Sequence, residues 1–297
     1  MFNAKRIDAI ATRVIYAVAG FIVLLLGALL IYILASGLPH VTPHFLTSKS
    51  ENFLAGGGIQ DQLFNSFYLL FITLIISFPL SLGAGIYLSE YARKNFLTDV
   101  IRTAIEVLSS LPSVVVGLFG MLFFGFQLGF GYSVISGALA LTFFNLPLLT
   151  RNVEESLKTV SNAQREAGIA LGLTRIETVL RVILPEALPG IITGVILGAG
   201  RIFGEAAALI FTAGSNEWKL DFNDWNPLHS HSPLSIFRPA ETVAVHIWKI
   251  RSEGTVQDGA QVAAAASAVL IIAVLLFNVL ARILGKQLHA KLTSTKG

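Results

Sequence analysis

Arg201 and Glu205 are the residues whose types and placement most invite chemistry, because they interrupt an otherwise apolar stretch at 187–213. In a membrane span a central charge costs several kcal/mol, roughly 2.5–3.5 for arginine, so the side chain must face protein or water. Four positions apart, the two are expected on one helix face, able to pair. Two readings stay open: an ion pair that fixes helix packing, or a guanidinium lining the path of an anion. Arginine suits phosphate-type oxyanions because its planar fork donates paired hydrogen bonds and stays charged. In that second reading Glu205 holds the guanidinium and limits its grip, so the anion can leave.

Other candidate chemistry is thinner. His229 and His231 lie near Asp221 and Asp224, but a metal site needs a third well-spaced ligand, and an external loop is expected instead. His40 and His44 have helical spacing, with Pro43 between them arguing against a helical pair. The absence of cysteine excludes disulfides, thiolate metal sites and thiol catalysis. Gly285-Lys286-Gln287 is not a phosphate-binding loop, and no Gly-x-x-x-x-Gly-Lys-Ser/Thr string occurs. No nucleophile–base constellation stands out. No catalytic residue, metal or cofactor is therefore assigned to this chain.

The elements that must position the two charges follow from composition. Of 297 residues, 54% are hydrophobic and 13% charged, against roughly 25% charged in a soluble domain. Mean hydropathy is +0.71. This excludes a disordered chain and points away from a soluble one. A net charge of +3 is no nucleic-acid footprint. Spans of about 20 apolar residues are expected near 14–35, 62–88, 107–127, 132–150, 187–213 and 259–281. The uncharged run 107–150 is about twice what one crossing uses, and Gln127, Gly129 and Gly131 mark a hairpin in it. The predicted fold is an all-α membrane protein, one transmembrane domain over 1–297. Its first apolar segment is too long for a signal peptide.

Lys and Arg set the orientation. Lys5, Arg6 and Arg13 precede the first span, Arg93, Lys94 and Arg102 lie in 89–106, five more lie in 151–186, and four follow from Arg282. The opposite loops hold only Lys49, Lys219, Arg238, Lys249 and Arg251. Both termini are expected in the cytoplasm, with 151–186 cytoplasmic and 214–258 external. Within the external loop, 239–248 reads either as a short interfacial helix with Trp248 at headgroup depth or as an ordered loop. Pro79, Pro112 and Pro147 should kink or end helices. Ser109, Ser110, Ser113, Thr142 and Asn145 are expected to bond to neighbouring helices, and Gly190, Gly194 and Gly198 mark a face for close packing.

The 151–186 loop predicts a helical hairpin. Ser161-Asn-Ala-Gln164 and Thr174-Arg-Ile-Glu177 have the form of capping boxes. Ala163, Ala167, Ala170 and Leu171 share one small-residue face, and Gly172 is placed to end the first helix. The second helix should carry Ile176, Val179, Leu180, Ile183 and Leu184 on one face and stop before Pro185.

Glu166-Ala-Gly168, then Gly172, then Val182-Ile-Leu-Pro185 resembles the EAA loop of ABC-importer permeases, departing from its pattern at Gly168 and Val182. The resemblance implies the type I importer fold and a hairpin, marked by Glu166, Ala167, Gly168, Gly172, Leu184 and Pro185, that docks in a cleft of an ATPase subunit. The strings 198–209, 211–214, 111–120 and 241–248 resemble the phosphate-importer permeases, closer to the PstA-type subunit than to its partner. That likeness implies a role for Arg201 and Glu205 in phosphate passage. It also implies a homologous second permease, two ATP-binding subunits that bind ATP and Mg, an extracellular phosphate-binding protein, and a prokaryotic cytoplasmic membrane whose lipid surrounds the chain. No nucleic-acid partner is expected. The rivals are the same architecture for another oxyanion such as sulfate or phosphonate, and a stand-alone secondary transporter, which would often show an inverted repeat not visible here.

Overall fold

The computed structural model describes residues 4–51, 55–254 and 256–294; Lys296, part of the basic tail, lies outside them. Among the described residues every regular element is helical. The helices are α1 (Ala4–Gly37), α2 (Pro43–Thr47), α3 (Gln60–Ile86), α4 (Phe96–Ser110), α5 (Ser113–Gly120) and α6 (Val134–Lys158), then α7 (Asn162–Ala170), α8 (Arg175–Thr178), α9 (Leu184–Phe203), α10 (Ala207–Thr212), α11 (Val243–Glu253) and α12 (Gly259–Ser294). Wider π-type turns extend α3 through Tyr87–Tyr91 and α5 through Met121–Gln127, and Val179–Ile183 joins α8 to α9.

Five segments are long and apolar enough to cross a membrane unbroken: Ile7–His40, Gln60–Tyr91, Val134–Lys158, Arg175–Phe203 and Gly259–Gln287. The straight crossing expected at 107–127 is instead two limbs, α4 and α5, meeting at 101°. Leu111 precedes Pro112, whose ring excludes the helical region for it, and both residues are extended, with ψ of 136° and 138°. Counted as one, the bent pair brings the crossings to six. Pro79 and Pro147, by contrast, sit inside continuous helices.

Small residues set how closely the central helices approach. A Cβ added to Gly85 of α3 would lie 2.5 Å from Val153 Cγ1 of α6. Added to Gly190, Gly194 and Gly198 of α9, it would meet Ser156 Oγ at 2.6 Å, Asn152 Cβ at 2.7 Å and Asn145 Nδ2 at 3.0 Å, all on α6. The core between α3, α6, α9 and α10 is built from Leu69, Leu141, Ile202, Phe203 and Leu209. A second cluster of Val153, Leu157, Val179 and Ile183 closes the end that carries the hairpin.

At the other end the 214–242 segment is ordered around a buried cation. Arg238, 1% exposed, donates to the carbonyls of Ser232 (3.1 Å), Pro233 (2.9 Å) and Pro239 (3.0 Å). Burial pushes its guanidinium down to about 10. The helix that follows begins at Val243, capped by Thr242 and ended by Gly254 at φ +63°, and so starts later than 239. Val243 and Ile250 pack with Phe45, Ile59 and Val262, while Trp248 and the last turn, Arg251 to Glu253, stay exposed.

Candidate coupling and translocation sites

The hairpin is built from two short helices whose ends are satisfied locally. Ser161 Oγ accepts the Gln164 N–H, giving half of the expected capping box. Thr174 and Glu177 form the complete box. Gly172 takes φ +85° in the turn, a conformation that glycine alone adopts cheaply. Gly168 is buried against α8, where an added Cβ would stand 2.8 Å from Thr178 Cγ2. The departure from alanine at this position thus lets α7 and α8 close on each other. Glu166, Ala163, Ala167, Ala170 and Leu171 are exposed.

The expected single apolar face of the second helix divides. Val179 and Ile183 are buried, while Ile176 and Leu180 are exposed. Nor does the helix stop before Pro185. The π-type turn Val179–Ile183 changes the hydrogen-bond register, so that Leu184 and Pro185 open α9, where a missing N–H costs nothing. The helical path therefore runs from Arg175 to Phe203, about 40 Å at 1.5 Å per residue.

Three residues outside the sequence motif moor the hairpin. Arg165 pairs with Glu90 (2.9 Å) and donates to the Leu157 carbonyl (2.7 Å). Arg175 donates to the Glu90 carbonyl and stacks over the Tyr91 ring at 4.9 Å. Glu90 thus grips both hairpin helices from the end of α3. The sequence carries no signal for this, since Glu90 is 75 residues from Arg165.

Arg201 and Glu205 do not share a helix. α9 ends at Phe203, and the Glu205 N–H bonds back to Ile202 O at 3.2 Å, three residues away. The Glu205 carboxylate then accepts the Ala208 N–H at 3.2 Å, at the start of α10. Capping wins over pairing because an unsatisfied N–H in an apolar span is costly. Arg201 is half-buried with its Cζ 3.7 Å from the centroid of the Phe144 ring on α6. No carboxylate stands within 4.0 Å of it among the described residues. It borders an exposed strip formed by Glu186, Pro189, Thr193 and Leu197 of α9 and by Gly204 just beyond its end.

Of the weaker candidates, His229 Nδ1 lies 2.6 Å from Asp224 Oδ2, and His231 Nδ1 lies 3.1 Å from the Lys219 carbonyl with its ring stacked on Trp218. Among the described residues no group of three metal-ligating side chains forms. Ser109 and Ser110 donate to carbonyls of their own helix, Glu106 and Val107, rather than to neighbours. Asn145 is fully buried beside Gly198, both its amide atoms without a protein partner, and the Thr142 hydroxyl is likewise unpaired.

Residues 81–294 match the family described as "Binding-protein-dependent transport system inner membrane component". The chain belongs to that family. It is a permease subunit of an ABC importer and a multi-pass protein of the plasma membrane. The permease is 51% identical, over 98% of its length and 99% of the relative's, to the "Probable ABC transporter permease protein YqgI" of Bacillus subtilis. It is 34% identical, over 79% of this chain and 75% of the other, to the "Phosphate transport system permease protein PstA" of Yersinia pestis. The fold is that of type I importer permeases. It matches a chain of a bacterial alginate ABC transporter, solved in complex with an alginate pentasaccharide-bound periplasmic protein, with a TM-score of 0.61 at 14% identity over 93% of both chains.

Proposed function

We propose that this permease forms half of the translocation pathway of an ATP-driven inorganic phosphate importer. Both termini and the 161–185 hairpin lie in the cytoplasm, and the 214–258 segment faces outward. The observation that carries the proposal is Arg201, a guanidinium within a membrane span that stacks on Phe144 and has no carboxylate within 4.0 Å among the described residues. Such a charge is tolerated only where another subunit, water or an anion answers it, and arginine answers phosphate best. The PstA relatives support phosphate as the anion.

The partners are a homologous second permease, which covers the exposed surface at Leu197 and Gly204 beside Arg201, two ATP-binding subunits and an extracellular phosphate-binding protein. ATP and Mg are bound by the ATP-binding subunits, where hydrolysis occurs, and none is bound by this chain. Glu166, Ala167 and the turn at Gly172 form the docking surface, and Leu184 and Pro185 start the rod that leads from it. Because the helical path continues to Phe203, a movement of the hairpin is delivered to Arg201 without an intervening flexible loop. Glu205, capping α10 at the break beyond it, fixes where that rod ends. Phosphate passes Arg201 as the outward-open cavity closes and the inner side opens.

A second oxyanion reading is kept because the 51% identical relative carries no substrate in its name. Uptake of radiolabelled phosphate into vesicles holding the assembled transporter, with sulfate and phosphonate as competitors, decides between them. Arg201→Gln should lower phosphate uptake about tenfold or more, the loss of one charge-assisted contact. Normal uptake in that variant at equal expression overturns the pathway role. Glu166→Lys or Gly172→Leu should abolish co-purification of the ATP-binding subunits.

A further inference from the structure

A cavity of about 240 Å³ opens between α9 and the end of α12, lined by Pro189, Ile192, Thr193 and Ile196 on one side and by Arg282, Gly285, Lys286 and His289 on the other. Three of these residues are basic and none is acidic. Arg282, Lys286 and His289 are spaced at i, i+4 and i+7, so α12 presents them on one face. Arg102, Arg151, Lys158 and Arg165 each meet a carboxylate. Arg282 and Lys286 meet none among the described residues, and both are exposed.

The cleft has a fixed floor. Gly285 is buried against Ile192, where an added Cβ would stand 2.7 Å from Ile192 Cγ2, so the two helices touch directly beneath the charges. Its inner end is pinned by an unusual bond. Pro189 has no N–H to give to the carbonyl four residues back, that of Pro185. His289 Nδ1 donates to that carbonyl instead, at 3.2 Å. Apolar walls below a rim of unanswered cations are the features of a site for a phosphate group whose attached chains leave along a membrane helix.

We propose that this cleft binds a phosphate group, that of an anionic phospholipid in the cytoplasmic leaflet. The placement of the leaflet rests on the orientation given above; the binding itself does not depend on phosphate transport. Arg282 and Lys286 hold the phosphate oxygens, and the acyl chains lie against Ile192. Because His289 is bonded to Pro185, the occupied cleft braces the base of the rod that leads to Arg201.

The same oxygens would be presented by free phosphate leaving the pathway, so the test has two arms. The assembled transporter is placed in nanodiscs of phosphatidylcholine with a minor fraction of phosphatidylglycerol, and retained lipid is measured by native mass spectrometry. A second preparation, in phosphatidylcholine alone, is dialysed against radiolabelled inorganic phosphate. The double variant Arg282→Gln/Lys286→Gln should lose retained phosphatidylglycerol roughly tenfold, while Arg251→Gln, on the far end of the molecule, and the charge-keeping Arg282→Lys/Lys286→Arg should retain it. Loss confined to the dialysis arm assigns the cleft to the solute and replaces the lipid. Equal binding by wild type and double variant in both arms overturns the site.

Discussion

α1 and α9 both leave much of their length uncovered by the rest of the chain, yet the uncovered residues differ in kind. None of the most apolar part of α1 is buried, and its exposed side chains include Ile22, Val23, Leu24 and Ile31. Lipid tails can cover such a surface all round. The open side of α9 carries Glu186 with Arg201 at its edge, charges that hydrocarbon cannot satisfy. Exposure in an isolated membrane chain is thus uninformative until the chemistry of the exposed atoms is read. The α1 surface is complete once lipid covers it, whereas the charges along α9 need polar company.

The sharpest way to break this contrast is Arg201→Leu. Uptake should fall about tenfold or more, while the thermal midpoint of the assembled transporter stays level or rises, since a charge has been removed from a span. A parallel fall in midpoint and uptake would make Arg201 a packing residue. Gly37→Leu comes next. Here α1 meets α12, and an added Cβ would stand 2.2 Å from the Ala264 carbonyl oxygen; overpacking of this type costs about 1–3 kcal/mol and should appear as a lowered midpoint. Leu24→Ala, on the lipid-covered part of the same helix, should change stability by less than about 0.5 kcal/mol in bilayers.

The smallest effect is expected far from both helices. The Asn226 backbone N–H, and then His229, hold the Asp224 carboxyl below the usual carboxylate range. A carboxyl depressed in the fold contributes stability above its ordinary value, about 3.9, and loses it as pH falls through and below that value. Asp224→Asn should therefore differ slightly from wild type in unfolding midpoint at pH 7, and the gap should narrow as pH falls below about 3.9. A gap that widens in acid would contradict this geometry.

Much of the architecture can be read from residue order, for reasons tied to local chemistry. The turn at Gly172, the capping box at Thr174 and the packing glycines of α9 are each set within a few residues, and each is found where its pattern points. Pro112 announces a break, but not its 101° angle, which depends on what α4 leans against, including Glu154 on α6. Spacing of four pairs Arg201 with Glu205 only if the helix continues. It ends because the Glu205 carboxylate serves a backbone N–H instead.

The sequence by itself determined the apolar spans, the uneven distribution of cations and the helix–glycine–helix form of the hairpin, because hydropathy, charge and capping act over one to a few turns. Tertiary structure alone decided that Glu90 grips Arg165 and Arg175, that Phe144 rather than Glu205 receives Arg201, and that Arg238 is buried among carbonyls. Those contacts join residues far apart in the chain, and which groups meet is set by how closely glycine-lined helices approach one another.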